Sequence, residues 1–149
     1  MQEKINIVNK KAKFKYFLLK KYIAGLVLNG SEIKSIRQKK VNIDRSFCNF
    51  FNDELYVNNI VIENYINSSS FNNDRNKIKL LLNKNELVKI KKELNDVGVT
   101  IVATKLFIND KGFAKLEIST AKGKKNYDKR EVIKKRENKL KIDRIKKSN

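Results

Sequence analysis

Ahead of residue 120, the pattern of apolar and polar positions is mostly that of β-strands. Phe14 to Leu28 is rich in aromatic and branched residues and predicts the first strand. A short strand is predicted at Lys79 to Leu82, after a long polar loop from Asn64 to Lys77. Two predicted hairpins complete the set: Ser46 to Phe51 with Leu55 to Ile62 around Asn52-Asp53-Glu54, and Val99 to Ile108 with Phe113 to Ser119 around Asn109-Asp110-Lys111-Gly112.

Two short helices are predicted between these strands. In the first, Ser31 takes the capping position and Ile33 and Ile36 face inward. In the second, Asn83 and Glu86 have the spacing of a capping box. The apolar stripe of that helix and the glycine that stops it are Leu87, Ile90, Leu94 and Gly98. Short strands and two short helices in about 120 residues predict a mainly β domain that forms a small barrel.

The charge of the chain points to a polyanionic partner. There are 35 Lys and Arg against 16 Asp and Glu, a formal charge of +19. Such a charge is costly to hold together and is usually maintained because a polyanion neutralises it, so nucleic acid is the leading candidate. Codon bias in a genome poor in G and C would also supply Lys, but it explains abundance better than clustering. Residues 1–119 carry 22 basic and 12 acidic side chains, whereas residues 120–149 carry 13 and 4.

Residues 120–149 therefore form a basic tail, and residues 1–119 form the barrel domain. The tail has too few large apolar residues to offset the cost of ordering it alone, so we expect it to be disordered when free. Its residues are nevertheless good helix formers, and Glu131 and Lys135 have a spacing that supports a helical turn. A helix that forms on an anionic partner fits both observations.

Several chemistries are excluded by composition. Without His there is no Ser/His or Cys/His nucleophile pair, no His-ligated zinc and no imidazole acid or base. The single cysteine, Cys48, excludes Cys-cluster zinc sites and intramolecular disulfides, and it is predicted to be a small buried hydrophobe. Glu32-Ile33-Lys34 matches a triplet of metal-dependent nucleases, but such an enzyme also needs a partner carboxylate. No P-loop spacing is present. We predict no enzymatic activity, no metal and no cofactor.

The location of the protein follows from the lack of targeting signals. The longest apolar run is far short of the roughly 20 residues that a membrane helix needs. Met1-Gln2-Glu3-Lys4 lacks the charged-then-apolar layout of a signal peptide. We therefore expect a cytoplasmic, soluble protein without a membrane partner, and we expect a monomer.

Two basic segments are candidate RNA contacts. The stretch from Lys122 to Arg130 combines five cations, a glycine and Tyr127, so it can grip phosphates and stack on a base. The alternative is a solvated tail. Asn9 to Lys13 forms a second basic patch, for which a frayed terminus is the alternative. Phe47, Phe50 and Phe51 could also stack on bases, although on alternate faces of a strand at least one of them belongs to the core.

Three segments in this order resemble the SsrA-binding protein (small protein B) family of bacterial ribosome rescue. They are Asn9 to Phe17 (NKKAKFKYF), Ala24 to Asn42 (AGLVLNGSEIKSIRQKKVN) and Ala121 to Lys135 (AKGKKNYDKREVIKK), with a weaker match at Lys79 to Glu86 (KLLLNKNE). The resemblance implies a small barrel of the oligonucleotide-binding (OB-fold) type with extra helices and a basic C-terminal tail. It also implies that the protein binds the tRNA-like part of transfer-messenger RNA and delivers it to stalled ribosomes, where the tail senses the empty messenger channel.

The resemblance also implies site residues. The barrel face that meets the RNA elbow corresponds to Asn9, Lys10, Lys11 and Leu81, and the RNA-binding set extends to Lys122, Lys124 and Lys125. The tail residues for the decoding centre correspond to Gly123, Tyr127, Asp128, Lys129 and Arg130. The chain departs from the family at two positions, because it has Ile23 where an acidic residue is common and Phe14 where His is common. A general RNA-binding or ribosome-associated protein without this specificity is the alternative function.

Overall fold

A computed structural model describes residues 5–63 and 77–125 and, further along the tail, residues 130, 133, 134 and 136–140. The described tail residues from 130 onward are helical. The helices are α1 (Lys10–Lys15), α2 (Gly30–Arg37) and α3 (Lys84–Leu94). The strands are β1 (Asn6–Val8), β2 (Tyr16–Leu26), β3 (Val41–Asn42), β4 (Phe47–Phe51), β5 (Glu54–Asn58), β6 (Val61–Ile62), β7 (Lys77–Leu81), β8 (Val99–Ile108) and β9 (Ala114–Gly123).

Six strands close into a ring. The order of the main sheet is β1-β8-β4-β5-β7-β2-β9, and β9 pairs back onto β8, so the sheet has closed on itself. The pairs within this sheet are antiparallel. One edge of β8 pairs with β4 at Ile101 and Val102 and with β1 at Lys105 to Phe107. Closure removes the unpaired strand edges that invite aggregation. The prediction of a mainly β, small barrel with short helices is confirmed.

The interior is filled from alternate strand positions and by two helices. Leu55, Leu106 and Leu116 are fully buried strand residues, as period-two alternation requires. Ile36 of α2 and Ile90 of α3 are also fully buried and belong to the same cluster, so these helices pack against the barrel. Truncating such a side chain to Ala costs about 2–5 kcal/mol.

Cys48 belongs to this core. Its side chain is buried and unpaired, as predicted, and burial raises the pKa of its thiol. The thiol therefore stays protonated and inert at neutral pH.

Of the capping residues predicted for α2 and α3, the first is wrong and the second is confirmed. Helix α2 is capped by Asn29 and not by the predicted Ser31, because the helix already begins at Gly30. The Asn29 side-chain oxygen accepts from the Glu32 backbone N–H at 2.8 Å, and the Glu32 carboxylate accepts from the Asn29 backbone N–H at 3.0 Å. At α3, the Glu86 carboxylate accepts from the Asn83 backbone N–H at 3.3 Å, as the capping-box prediction requires.

Three predicted boundaries shift. The turn between β4 and β5 consists of Asn52 and Asp53, both at positive φ (49° and 63°), while the predicted turn residue Glu54 already pairs with Phe51. The predicted second strand of this hairpin, Leu55 to Ile62, is two strands, since β6 leaves the main sheet to pair with β3. Helix α3 ends at Leu94, so Gly98 (φ +81°) serves the turn into β8 and does not stop the helix.

The start of the first long strand and the end of the last strand also differ from the prediction. The first long strand begins at Tyr16 and not Phe14, because α1 occupies the preceding residues. The last strand runs to Gly123, beyond the predicted end at Ser119, because Thr120 and Ala121 are buried and pair with both β2 and β8. Lys122 and Gly123 therefore belong to the barrel wall. Most of the predicted polar loop, residues 64–76, lies outside the described residues.

Candidate nucleic-acid interface

Helix α1 places four lysines on the outside of the barrel. Its single buried residue, Ala12, packs with Val102 of β8 and Ala121 of β9. With that small side chain pressed against the wall, the lysines of the helix remain exposed, including the predicted Lys10 and Lys11. The helix carries no acidic residue, so it forms a compact positive surface that attracts phosphate.

Asn9 lies under this surface and is only 4% exposed. Its side-chain amide donates to the carbonyls of Ala103 at 2.8 Å and Ile43 at 3.3 Å, and its backbone N–H donates to the carbonyl of Thr104 at 2.8 Å. Asn9 therefore fixes the start of α1 to β8. Among the described residues, its side-chain oxygen has no hydrogen-bond partner. Direct contact between Asn9 and RNA stays a prediction.

A cavity of about 300 Å³ opens beside α1. Three lysines from three different elements line it, namely Lys13, Lys21 and Lys105. The acidic residue in its wall, Glu117, accepts a hydrogen bond from the Thr104 hydroxyl at 2.8 Å. Sequence reasoning did not find this cluster, because strand pairing alone brings its members together.

Leu81 lies on a separate part of the wall, at the end of β7 opposite Gly25 of β2. It is 53% exposed. A Cβ added at Gly25 would lie 3.3 Å from the Leu81 Cβ and 3.6 Å from the Lys115 Nζ, so the glycine permits both side chains to approach. Ile23 pairs with Glu117 across β2 and β9 and is 47% exposed. The departure at position 23 therefore adds an apolar side chain to the wall beside an acidic one.

The first residues of the predicted tail segment are tied to α1. Lys122 pairs with Phe17, and the Lys124 backbone N–H donates to the carbonyl of Lys15 at 2.8 Å. The Lys124 ammonium donates to the carbonyl of Lys13 at 2.9 Å and lies 5.1 Å from the centre of the Phe17 ring. A cation at the carbonyl end of a helix is favourable, so Lys124 stabilises the end of α1.

The second of the two departures, Phe14, contacts a residue of the tail. The Arg136 guanidinium lies 5.9 Å from the centre of the Phe14 ring, within the range of a cation–π contact. Lys125 and Arg130 are exposed. The predicted residues Tyr127, Asp128 and Lys129 lie outside the described part of the chain.

A hydrogen-bonded pair fixes β2 against α3. The Tyr22 hydroxyl donates to the Glu93 carboxylate at 2.8 Å, and Lys20 lies 3.6 Å from the same carboxylate. Burial, together with this bond to a carboxylate, raises the pKa of Tyr22 to about 12. Burial alone would raise the pKa of Glu93. Its hydrogen bonds and the charge of Lys20 outweigh burial and hold that pKa below its ordinary value.

The structure thus brings α1 and the end of β9 together and leaves Leu81 on another part of the wall. Sequence reasoning missed α1 itself and two of the three cavity lysines, Lys21 and Lys105. A usable signal for the helix was Asn9, a residue type that often begins helices, followed by polar residues that surround the apolar Ala12. No comparable signal marked Lys21, Lys105 and Lys115, whose positions depend on register.

Within the described residues, no helix is both long and apolar enough to span a bilayer, and no group of three acidic or thiol side chains could hold a metal ion.

Comparison with known proteins identifies the family. A family model described as SmpB protein matches residues 6–148. The SsrA-binding protein of Christiangramia forsetii is 55% identical over 148 residues, which cover 99% of this chain and 94% of the relative. The SsrA-binding protein of Flavobacterium psychrophilum is 51% identical over 148 residues, which cover 99% of both chains.

A solved structure agrees with these relatives. One chain of the structure described as "tmRNA-SmpB: a journey to the center of the bacterial ribosome" is 36% identical, with a TM-score of 0.69, and the match covers 87% of this chain and 94% of that chain. The resemblance drawn from the sequence is confirmed, and the chain belongs to the SmpB family.

Proposed function

We propose that this protein binds the tRNA-like part of transfer-messenger RNA with its barrel and delivers that RNA to stalled ribosomes. The single observation that carries the proposal is the near full-length match to SsrA-binding proteins, at up to 55% identity. The solved SmpB chain, described together with tmRNA and the bacterial ribosome, supports the same partners. The cationic wall around α1 supplies the physical means.

The barrel is proposed to hold the RNA through charge and shape. Lys10 and Lys11 on α1, with the neighbouring cavity lysines, offer ammonium groups to phosphates on one side of the barrel. Each phosphate neutralised releases counterions, which drives binding and makes it depend on salt. Leu81 offers an apolar contact on the wall, and Asn9 keeps α1 in place for the lysines to act.

The tail is proposed to sense whether the messenger channel is empty. The residues proposed for the decoding centre are Gly123, at the end of β9, and Tyr127, Asp128, Lys129 and Arg130 in the tail. Lys122, Lys124 and Lys125 lie where the tail leaves the barrel. A channel walled by phosphate admits a cationic segment only when no messenger RNA competes for the same wall. Ordering the tail on arrival lowers its affinity for incomplete contacts, because the entropic cost is offset only where the full wall is present.

The proposal contains no catalytic step. The carboxylate of Glu32, the residue of the nuclease hypothesis, accepts the hydrogen bond of the Asn29 backbone N–H that caps α2. The protein is proposed to act as a monomer in the cytoplasm, where translating ribosomes are found, without a cofactor.

The first experiment removes residues from Asp128 onward. Binding to the tRNA-like RNA should remain nearly intact, whereas peptide tagging on stalled ribosomes should be lost. Loss of RNA binding on this truncation would contradict the proposed division between barrel and tail.

The second experiment separates this function from general RNA binding. Competition at fixed salt should favour the tRNA-like RNA over an unrelated structured RNA of equal length. The double variant Lys10→Gln/Lys11→Gln should lower the salt slope of log K by roughly 1.4 to 1.8, since each phosphate contact contributes roughly 0.7 to 0.9. Lys89→Gln/Lys92→Gln on α3 is the matched control, because it removes the same charge from exposed positions of another helix. Equal affinity for both RNAs would favour the general RNA-binding alternative.

A further inference from the structure

The outer surface of β4, β5 and β7 carries aromatic rings where a solvent-facing sheet usually carries polar groups. We call it the hairpin face and define it by Phe47, Asn49, Phe51, Tyr56 and Lys77. Phe47 is 41% exposed and Phe51 is 54% exposed. Neither ring is needed for the core.

Strand register places these side chains on one side of the sheet. Phe47 pairs with Asn58, which pairs with Lys77, and Asn49 pairs with Tyr56, which pairs with Lys79. The residues between them, such as Cys48, Leu55, Val57 and Ile78, point into the core. Because side chains alternate along a strand, the hairpin face is a continuous surface of rows across three strands.

The aromatic rings are held in place by their neighbours. The Phe51 and Tyr56 rings meet edge to face, with centroids 6.3 Å apart and an interplanar angle of 74°. The Lys77 ammonium lies 4.9 Å from the centre of the Phe51 ring. The Tyr56 hydroxyl donates to the Glu54 carboxylate at 2.9 Å. Rings fixed in this way lose little freedom when a ligand stacks on them.

Amide and charged groups complete the chemistry of the face. Asn58, itself only 7% exposed, donates to the side-chain oxygen of Asn49 at 2.7 Å. This bond fixes the exposed Asn49 amide and uses only one of its several donor and acceptor positions. The acidic residues of the hairpin are neutralised by lysines: Glu54 bonds Lys79 at 3.0 Å, and Asp53 bonds Lys91. The hairpin therefore does not repel a phosphate backbone.

We propose that the hairpin face stacks the bases of an unpaired RNA segment, on a surface separate from the α1 lysines. Phe51 and Phe47 would each take a base, Lys77 a phosphate, and Asn49 the edge of a base. An RNA strand fits better than a protein partner, because rings, amides and a cation alternate on one surface of a chain with a charge of +19. Leu81 lies on the same side of β7 as Lys77, so RNA held at Leu81 could continue onto this face.

A single-tryptophan variant gives the most direct test, because the chain contains no Trp. In Phe51→Trp, titration of the full-length protein with an adenylate octamer should quench the Trp fluorescence and saturate. Phe113→Trp is the matched control, since Phe113 is 62% exposed but lies in the turn between β8 and β9. Its fluorescence should not change. An unquenched Trp at position 51 with the octamer bound would overturn the proposal.

Affinity measurements provide the second test. Phe51→Ala and Phe47→Ala should each weaken octamer binding about tenfold, with an unchanged salt slope, because stacking releases no counterions. Lys77→Gln should lower the slope by roughly 0.7, the value for one phosphate of a single strand. Octamer binding at parental affinity by both Ala variants would also overturn the proposal. If sedimentation instead shows that Phe51→Ala abolishes self-association of the parent protein, the face binds a second copy and the RNA proposal fails.

The outcome is independent of the function proposed above. If competition shows no preference for the tRNA-like RNA while octamer binding still depends on Phe51, the proposed function fails and the stacking face stands. If that preference holds while Phe51→Trp stays unquenched, only the stacking face fails.

Discussion

At the scale of single residues, Asn9 shows how one buried amide positions a charged surface. Its two side-chain donor bonds end on the carbonyls of Ala103 and Ile43. Asn9→Ala would leave both carbonyls without this donor, so we expect a loss of about 1–3 kcal/mol in the free energy of unfolding. Urea denaturation measures it, with the exposed Asn6→Ala as a control that should change stability by less than about 0.5 kcal/mol. Equal stability of Asn9→Ala and the parent would contradict this role.

Tyr22 gives a residue-scale prediction for pH. Its pKa is raised to about 12 by burial and by the bond to Glu93. The folded state therefore holds the phenol proton more tightly than the unfolded state, which stabilises the fold below pH 10. That contribution is lost as the pH rises from about 10 to about 12.

The ultraviolet absorbance of phenolate measures this titration. The difference between the parent and Tyr22→Phe should isolate a phenol that titrates near pH 12, and Glu93→Gln should bring that midpoint down. A difference spectrum with a midpoint at the ordinary value of a tyrosine would contradict the assignment.

At the scale of elements, the cap of α2 distinguishes the observed residue from the expected one. Asn29 accepts from the Glu32 backbone N–H, and Ser31 only donates its hydroxyl to the Asn29 oxygen at 2.8 Å. Asn29→Ala should therefore cost about 1 kcal/mol, the usual value for a lost N-cap. Ser31→Ala should cost clearly less, since the capping bond survives. Urea unfolding measures the loss of stability in both variants. A larger loss in Ser31→Ala than in Asn29→Ala would mean that Ser31 is the cap.

The elements that the sequence predicted are those whose pattern is local. Strand β8 matches the predicted Val99 to Ile108 without change, because branched residues run through it and turn residues flank it. Helix α1 was missed, because it has only six residues and its Phe14 continues the aromatic pattern of β2, which begins at Tyr16. The end of β9 was missed because Thr120 and Ala121 look like tail residues until closure of the ring gives them two neighbouring strands.

The candidate site was predicted less completely than the fold for the same physical reason. Lys10 and Lys11 could be found, since they adjoin in sequence and face solvent together on α1. The cavity beside them joins Lys21 of β2 to Lys105 of β8, and only the three-dimensional pairing of strands puts those residues side by side. A local pattern of residues does not show which distant lysines become neighbours in the folded barrel.

At the scale of the whole molecule, net charge is divided almost equally between two parts of very different length, +10 on residues 1–119 and +9 on residues 120–149. Residues 120–149 hold 13 of the 35 basic side chains, and among the described cations of this segment Lys124 and Arg136 contact α1. If the barrel alone grips the tRNA-like RNA, the tail should add little to the counterions released in that complex.

The salt dependence of binding tests this division. We expect the full chain and a chain ending at Tyr127 to show the same slope of log K against log salt for the tRNA-like RNA. For an unstructured RNA of equal length, the full chain should show the steeper slope, because residues 128–149 carry 10 basic and 4 acidic side chains that can follow any phosphate backbone. A slope that falls equally for both RNAs on truncation would mean that the tail binds the tRNA-like RNA as well, and the barrel could not then be the separate binding unit.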